Sequence, residues 1–346
     1  MTFVIDTRTT RALRLAAMRA TRAPSVHNTQ PWSFVLLSDG IEIRADRGRQ
    51  LHVLDPRARQ LMISCGCAVF NARVALAAAG YDAVIERFPD DLRSDTVARL
   101  TVPAEIQDWL PLGELDSSIE LRRTNRRQFA DEQLPPAVIE DLVRTAAAEG
   151  AQLLPITRAA HRLSIARLSQ QADRIENADP AYRAELRAWT SDDPRRLDGV
   201  SAAGVPYVGV GAESHDLLPI REFDTRSMGW LSSDNNSGVN ESLLLLGTLD
   251  DGPAAWLRAG EALERVWLEL TRLGYAASPL TQVIEVAETH ERLRTELQLA
   301  MHPDVLLRVG RAPETVKTRR RRLTELITEP PDRAAHRRRR LAQALA

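Results

Sequence analysis

Two short stretches carry more hydrogen-bonding and charged groups than a turn requires. Residues 23–32, APSVHNTQPW, set Ser25, His27, Asn28, Thr29 and Gln30 between Pro24 and Pro31 and offer little apolar surface to bury. Hydroxyl and amide side chains both donate and accept, so such a set suits a ligand edge with mixed donors and acceptors. Residues 121–129, LRRTNRRQF, place Arg122, Arg123, Arg126 and Arg127 within six positions. Like charges that close repel one another unless an anion or a carboxylate neutralises them, and guanidinium forks match oxyanions. Glu120 is the nearest acidic neighbour. The run therefore reads either as an anion site or as a solvated face partly paired by that carboxylate.

The other candidate chemistry is bland. Cys65 and Cys67 lie two residues apart in a helical run, so they point away from each other, and no further Cys or His stands at ligand spacing. They read as buried free thiols of a reducing compartment, and no metal is expected. His27 reads as a surface histidine in preference to a catalytic acid. Asp250-Asp251-Gly252 reads as a turn, and no glycine-rich dinucleotide fingerprint is present. The net charge of −1 supplies no global field for nucleic acid or an anionic membrane. Of 46 basic residues only Lys317 is lysine, which reads as composition bias. The start, MTFVIDTRTTR, lacks a secretory apolar region, and no apolar run approaches about 18 residues. The expectation is a cytoplasmic protein without membrane or nucleic-acid partners.

Elements must hold the two stretches in place. Residues 9–22 read as a helix; WSFVLL and IEIRAD form a hairpin across Ser38-Asp39-Gly40. Asp55-Pro56 reads as an N-cap with proline at the first helical position, opening a helix over 57–79 that is apolar nearly all round. A helix without a polar face is buried on every side. VIERF and ARLTV read as strands, and helices follow over 114–122, 137–149 and 158–176 with LLPIT as a strand between. LLLLGTL and VLLRVG are strands flanking a helix over 254–273. Residues 177–240, rich in Asp, Gly, Ser, Pro and Asn, read as a lid, a binding loop or a disordered stretch.

The chain also echoes itself. CGCAVFNARVALAAAGYDA (65–83) aligns with AGEALERVWLELTRLGYAA (259–277), matching Gly66 with Gly260 and Gly80-Tyr81 with Gly274-Tyr275. With the similar order of elements, this suggests two α+β units in tandem.

APSVHNTQPWSF resembles the A-P-S-S-x-N-x-Q-P-W-x-F loop and strand of flavin-dependent nitroreductases. RRTNRRQF with the following LPPAVIEDLV resembles their R-R-S-x-R-x-F opening and helix, and RLGYAASPL, LLRVG and KTRRRRLTEL follow in the order of their C-terminal half. The resemblance spans about 10–327 and is similar to the Acg-type branch. It implies FMN as cofactor. It places Pro24, Ser25 and Asn28 at the flavin ring with Thr124, and Arg122, Arg123 and Arg126 in the phosphate motif. Ser278, Pro279 and Leu280 match the backbone turn near flavin N5, and Arg320, or its neighbour Arg319, matches a C-terminal phosphate arginine. Val26 replaces the usual second serine.

In ordinary members the arginine motif precedes the loop within one domain, and the flavin lies between two subunits. Here the order is reversed, which implies a fused intramolecular pseudo-dimer of α+β class. Residues 1–110 form a degenerate half carrying the loop, 111–328 a half carrying the arginines and the 177–240 insertion, and 329–346 a charged tail. One flavin site would survive, and a monomer suffices. The implied activity is NAD(P)H-dependent hydride transfer through FMN to a nitroaromatic or quinone-type acceptor. The alternative is an FMN-sequestering protein whose lid closes on the flavin with little turnover. A scaffold role for the RRRR tail at 337–340 is a third reading.

Overall fold

The strands form two sheets threaded in the same order. The computed structural model describes residues 7–92, 94–191, 193, 195–201, 221, 223 and 241–328. Helix α1 (Thr7–Ala20) leads through the polar loop into β1 (Trp32–Leu36) and β2 (Gly40–Ala45), then α2 (Arg59–Ala78), β3 (Val84–Arg87) and β4 (Thr96–Thr101). After α3 (Asp116–Leu121) come α4 (Pro136–Ala148), β5 (Gln152–Pro155), α5 (Ala159–Ala178), α6 (Pro180–Ala188), β6 (Ser242–Thr248) and α7 (Pro253–Arg272). The chain continues through β7 (Ala276–Pro279), α8 (Gln282–Glu285), α9 (Ala287–Glu296), β8 (His302–Gly310), α10 (Leu323–Leu326) and β9 (Ile327–Thr328).

One sheet runs β3-β4-β2-β1-β9 and the other β7-β8-β6-β5. Among the described residues every strand pairing is antiparallel except β1 with β9, which adds to the first sheet in parallel. Each sheet is thus made by a strand pair, a long helix and a second strand pair. The later unit differs by what it inserts: α5 and α6 between β5 and β6, and α8 and α9 between β7 and β8.

The two long helices cross at the aligned glycines. A methyl on Gly66 would stand 2.0 Å from the Leu257 carbonyl oxygen, and one on Gly260 would stand 2.0 Å from that of Ile63. Only glycine permits that approach. Both helices also end alike. Gly80 and Gly274 take left-handed φ of 88° and 77°, and the Tyr81 and Tyr275 amides reach back to Leu76 and Leu270 at 2.9 and 2.8 Å. This is a left-handed glycine cap.

Three expectations need correction. Helix α2 is long and apolar enough to cross a bilayer, with mean hydropathy 1.7, so an apolar run of that length does exist. It is wrapped by α1, α7 and the first sheet, and almost every residue is buried. Asp55 is not the residue before the helix: Ala58 is, at φ 61°. The left-handed turn there brings the Asp55 carboxylate back onto the Leu61 amide at 2.9 Å, so it still caps the first turn. The stretch 177–240 is not wholly loop, because Pro180–Ala188 is helical, with the Asp179 carboxylate accepting from the Ala181 amide at its start. Residues 202–220, 222 and 224–240, and the tail 329–346, lie outside the described residues.

Candidate functional site

The polar loop is held in a conformation that side chains resist. His27, Asn28 and Gln30 all have left-handed φ, at 47°, 54° and 50°. Each such residue costs on the order of 1 kcal/mol and persists only where its surroundings over-determine it. The Ser25 hydroxyl accepts from the Gln30 amide at 2.9 Å, and Arg49 Nε donates to the Thr29 carbonyl at 2.5 Å. The Gln30 side chain donates to the Leu197 carbonyl at 2.9 Å and accepts from the Arg321 amide at 2.8 Å. Asn28 donates to the Gly199 carbonyl at 3.0 Å and accepts from Arg320 at 3.1 Å. The loop is thereby stapled between the insertion and the C-terminal segment.

The arginine motif comes to the same place from the other unit. Thr124 forms a parallel bridge with Ala277, and the Asn125 amide donates to the Ala277 carbonyl at 3.1 Å. Asn125 also donates from its side chain to the Pro313 carbonyl at 2.7 Å. Docked against β7 in this way, Thr124 and Arg126 line one cavity with Pro24, Ser25, His27 and the Ser278–Leu280 turn. Its inner wall is α2, which contributes Gln60, Ile63, Ser64 and Cys67, and α7, which contributes Leu263 and Trp267. The spacing of the α2 residues is that of one helical stripe. Gln60 Nε2 is buried there without a hydrogen-bond partner among the described residues.

A second, cationic pocket adjoins the first and shares Thr124 with it. It is lined by Arg22, Arg122, Arg123, Lys317 and Arg320 around a single carboxylate, Glu120. Glu120 accepts from Lys317 at 2.7 Å, Arg22 at 3.0 Å and Arg19 at 3.2 Å, and these cations hold its carboxyl below the usual range against the opposing effect of burial. Arg122 is buried, stacked 4.6 Å from the Trp267 ring and 3.3 Å from Glu264. Burial pushes the Glu264 carboxyl up to about 7, with Arg122 pulling the other way. Burial, then Arg122 and Arg22, lowers Arg320 to about 9, and Arg123 is lowered by burial and Arg122. Burial and neighbouring guanidiniums both oppose these charges, and a bound oxyanion would favour them.

The insertion closes the outer side of the first cavity through Arg221 and Phe223. Arg126 stacks 5.1 Å over the Phe223 ring, and His27 meets that ring edge-on at 5.8 Å. Arg221 contacts His27 Nε2 and pairs with Glu285. Its seat is a small core of its own, in which Tyr182, Leu186, Val200 and Phe223 pack on Leu51 and Leu54. Arg49 pairs with Asp198 and lies 5.2 Å over Trp189. His27 is therefore not a surface residue: it is 7% exposed, because the insertion packs over it.

Of the residues singled out in the sequence, Pro24, Ser25, Thr124, Arg126, Ser278, Pro279 and Leu280 line the first cavity. Arg122, Arg123 and Arg320 line the second. Asn28 lies behind both, bracing Arg320 and the insertion, and Arg126 faces the first cavity with Phe223. Cys65 and Cys67 are free and buried. The α2 stripe, Trp267, Arg221 and Phe223 escaped the sequence reading. Gln60 and Ser64, polar on an otherwise apolar helix, were the available signal.

No family model matches the chain. A Mycobacterium tuberculosis (strain H37Rv) protein named "Putative NAD(P)H nitroreductase Rv3131" is 33% identical over 325 residues, covering 92% of this chain and 92% of its own length. "Putative NAD(P)H nitroreductase acg" of the same organism is 30% identical over 315 residues, covering 88% and 91%. Among solved structures, the FMN and NADPH-dependent nitroreductase NfnB from Sphigopyxis sp. strain HMH is 17% identical over 62% of this chain and 97% of its own, at a TM-score of 0.41. That structural likeness is too distant to carry an argument.

Proposed function

The chain belongs to the nitroreductase superfamily, and from that premise we propose that it binds one FMN per chain and acts as an NAD(P)H-dependent oxidoreductase. The observation that carries the reading is the pair of adjoining cavities: an uncharged inner wall beside a pocket with five cations and one carboxylate. The residues fit the group. A phosphate suits the crowded guanidiniums of Arg122, Arg123 and Arg320, where Arg320 Nε is buried without a partner among the described residues. The carbonyl and N–H edge of a flavin suits the Ser25 and Thr124 hydroxyls and the unpartnered Gln60 amide. The Ser278–Leu280 turn edges the same cavity and would lie toward the ring.

Held by Ser25, Thr124, Gln60 and the arginines, FMN would supply two-electron chemistry between NAD(P)H and a nitroaromatic or quinone-type acceptor. The chain's own residues bind and orient. Trp267 backs Arg122, Glu264 pairs with it, and Arg221 and Phe223 flank the cavity's outer side. The recurring strand order supports a further proposal: the chain is two fused copies of one unit, so the site that other members build between subunits is built within a monomer.

The purified protein is expected to be yellow, with about one FMN per chain. Replacing two charge-assisted contacts, Arg123→Ala with Arg320→Ala, should weaken FMN binding by at least a hundredfold, at roughly 1.5–3 kcal/mol each. Unchanged FMN occupancy in the double variant would place the phosphate elsewhere.

A second reading, sequestration of the cofactor with little turnover, is favoured by one observation. The described residues of the insertion are seated by a buried core with Leu51 and Leu54 and by the ion pair of Asp198 with Arg49. Steady NAD(P)H oxidation with 1,4-benzoquinone would count against it.

A further inference from the structure

We propose that His27 presents a neutral Nδ1–H to a carbonyl or nitro oxygen of the planar ligand in the first cavity, and that Arg221 and Glu285 set that tautomer. The inference rests on the reading of this cavity as a flavin-dependent oxidoreductase site, and it names the group that selects the ligand's oxygen.

The argument begins at the backbone. His27 is held at φ 47°, a conformation that turns its ring under the insertion and leaves it 7% exposed. Its Nε2 meets a terminal nitrogen of Arg221. A guanidinium has five donors and no acceptor, so the only hydrogen bond open to this pair uses the Nε2 lone pair. The neutral imidazole must then carry its proton on Nδ1. An imidazolium would set N–H against N–H. Arg221 cannot turn away freely, because Glu285 of α8 holds its other arm.

The charged groups facing the ring agree with a neutral histidine. Arg221 comes from the insertion and Arg126 from the segment after α3, and with burial, the largest cause, they hold His27 well below its ordinary value. Phe223 fills the remaining side edge-on. Nδ1 is buried and has no hydrogen-bond partner among the described residues. A buried donor without a partner is costly, and the ring lines the ligand cavity, so a ligand oxygen is the group that completes it. That oxygen can belong to the flavin ring or to an aromatic acceptor stacked beside it. The chemistry is shared.

The test uses the full-length protein with FMN. Long-range 15N–1H correlation spectra, with the His27 signals assigned by their loss in variants, should show Nδ1–H and no imidazolium between about pH 6 and 8. His27→Gln removes the donor from the Nδ1 position, whereas His27→Asn restores an N–H there. His27→Gln should raise either the FMN Kd, read by flavin fluorescence, or the KM for 1,4-benzoquinone by about tenfold, and His27→Asn should recover most of it. A shifted FMN Kd assigns the oxygen to the flavin; a shifted KM alone assigns it to the acceptor. An Nε2–H tautomer, or equal constants in both variants and the parent, overturns the proposal. A chain that never takes up FMN fails the earlier reading instead, and the tautomer in the unloaded protein still decides on His27.

Discussion

Gly66→Ala probes the crossing on which both the core and the cavity depend. The added methyl would stand 2.0 Å from the Leu257 carbonyl oxygen and 2.9 Å from the Glu261 amide nitrogen, all backbone atoms of α7 that cannot rotate aside. Ordinary contact begins near 3.4 Å, so the helices must part by about 1.4 Å at this point. Alanine gains up to about 1 kcal/mol over glycine in a helix. Against that, forced overpacking costs about 1–3 kcal/mol, and a gap of 0.5–1 Å already forfeits a quarter to a half of each neighbouring dispersion contact. The net loss should be about 2 kcal/mol or more, a drop of roughly 3 °C or more in the thermal midpoint at about 2.1 cal/mol/K of unfolding entropy per residue. Gln60, Ile63, Ser64 and Cys67 of α2 face Leu263 and Trp267 of α7 across the cavity, so the same displacement should also weaken FMN binding. Because Gly260→Ala opens the same gap, the double variant should lose less than the sum of the two. Differential scanning calorimetry with flavin titration reads both effects. A Gly66→Ala protein as stable as its parent would refute the reasoning, since helix propensity would then outweigh the contact.

Leu186→Ala removes a buried side chain from the small core that seats the insertion, at a local cost of about 2–5 kcal/mol. It should speed benzoquinone reduction if the cover limits access, and an unchanged rate would leave access outside the cover's control. Asp55, Glu264 and Asp304 are pushed up to about 7 and Glu176 to about 8, each chiefly by burial. Unfolded, these groups titrate near 4, so the native state keeps protons the unfolded state has lost, and stability falls as pH rises toward 7–8. His27 and His290, lowered by burial, oppose this only below about 6.5, so the thermal midpoint should drop between pH 6.5 and 8, and a rise would refute the assignment.

What could be read from sequence followed from what is local. The helix over 57–79 was legible because it lacks a polar face, and its glycine end because Gly80 must be left-handed. Ser25, Thr124 and the Ser278–Leu280 turn were legible as motif positions, and they do meet in one cavity. The side-chain destinations of Asn28 and Arg126 were not. Asn28 is taken up by the Gly199 carbonyl and by Arg320, both far off in sequence, and Arg126 turns to Phe223, a partner nearly 100 residues on. His27 looked like a surface residue because the residues that cover it, Arg221 and Phe223, stand nearly 200 positions on in a stretch that read as loop. Strand β9 was missed because two residues pair with β1 only once the chain has returned to the first sheet.

On the two-copy reading, the glycine pair fixes an offset that matches Cys67 with Glu261, Trp267 with Arg73, and Thr281 with Arg87. The first of each pair lines the cavity. The second of each pair is tied into one network: Glu261 accepts from Arg73 at 2.8 Å and from Arg87 at 2.6 Å. Glu149 extends it to Arg265 at 2.6 Å. Glu261 is fully buried, so its charge is tolerable only while both arginines face it. Removing any one member strands the others, and breaking a buried pair costs about 3–5 kcal/mol. On that reading a thiol, an indole and a hydroxyl would leave room for a planar ligand, whereas three charged side chains bonded to one another would fill the equivalent space and resist stepwise removal. We propose, on that two-copy reading, that the network leaves the ligand site on the side where the loop and the arginines meet.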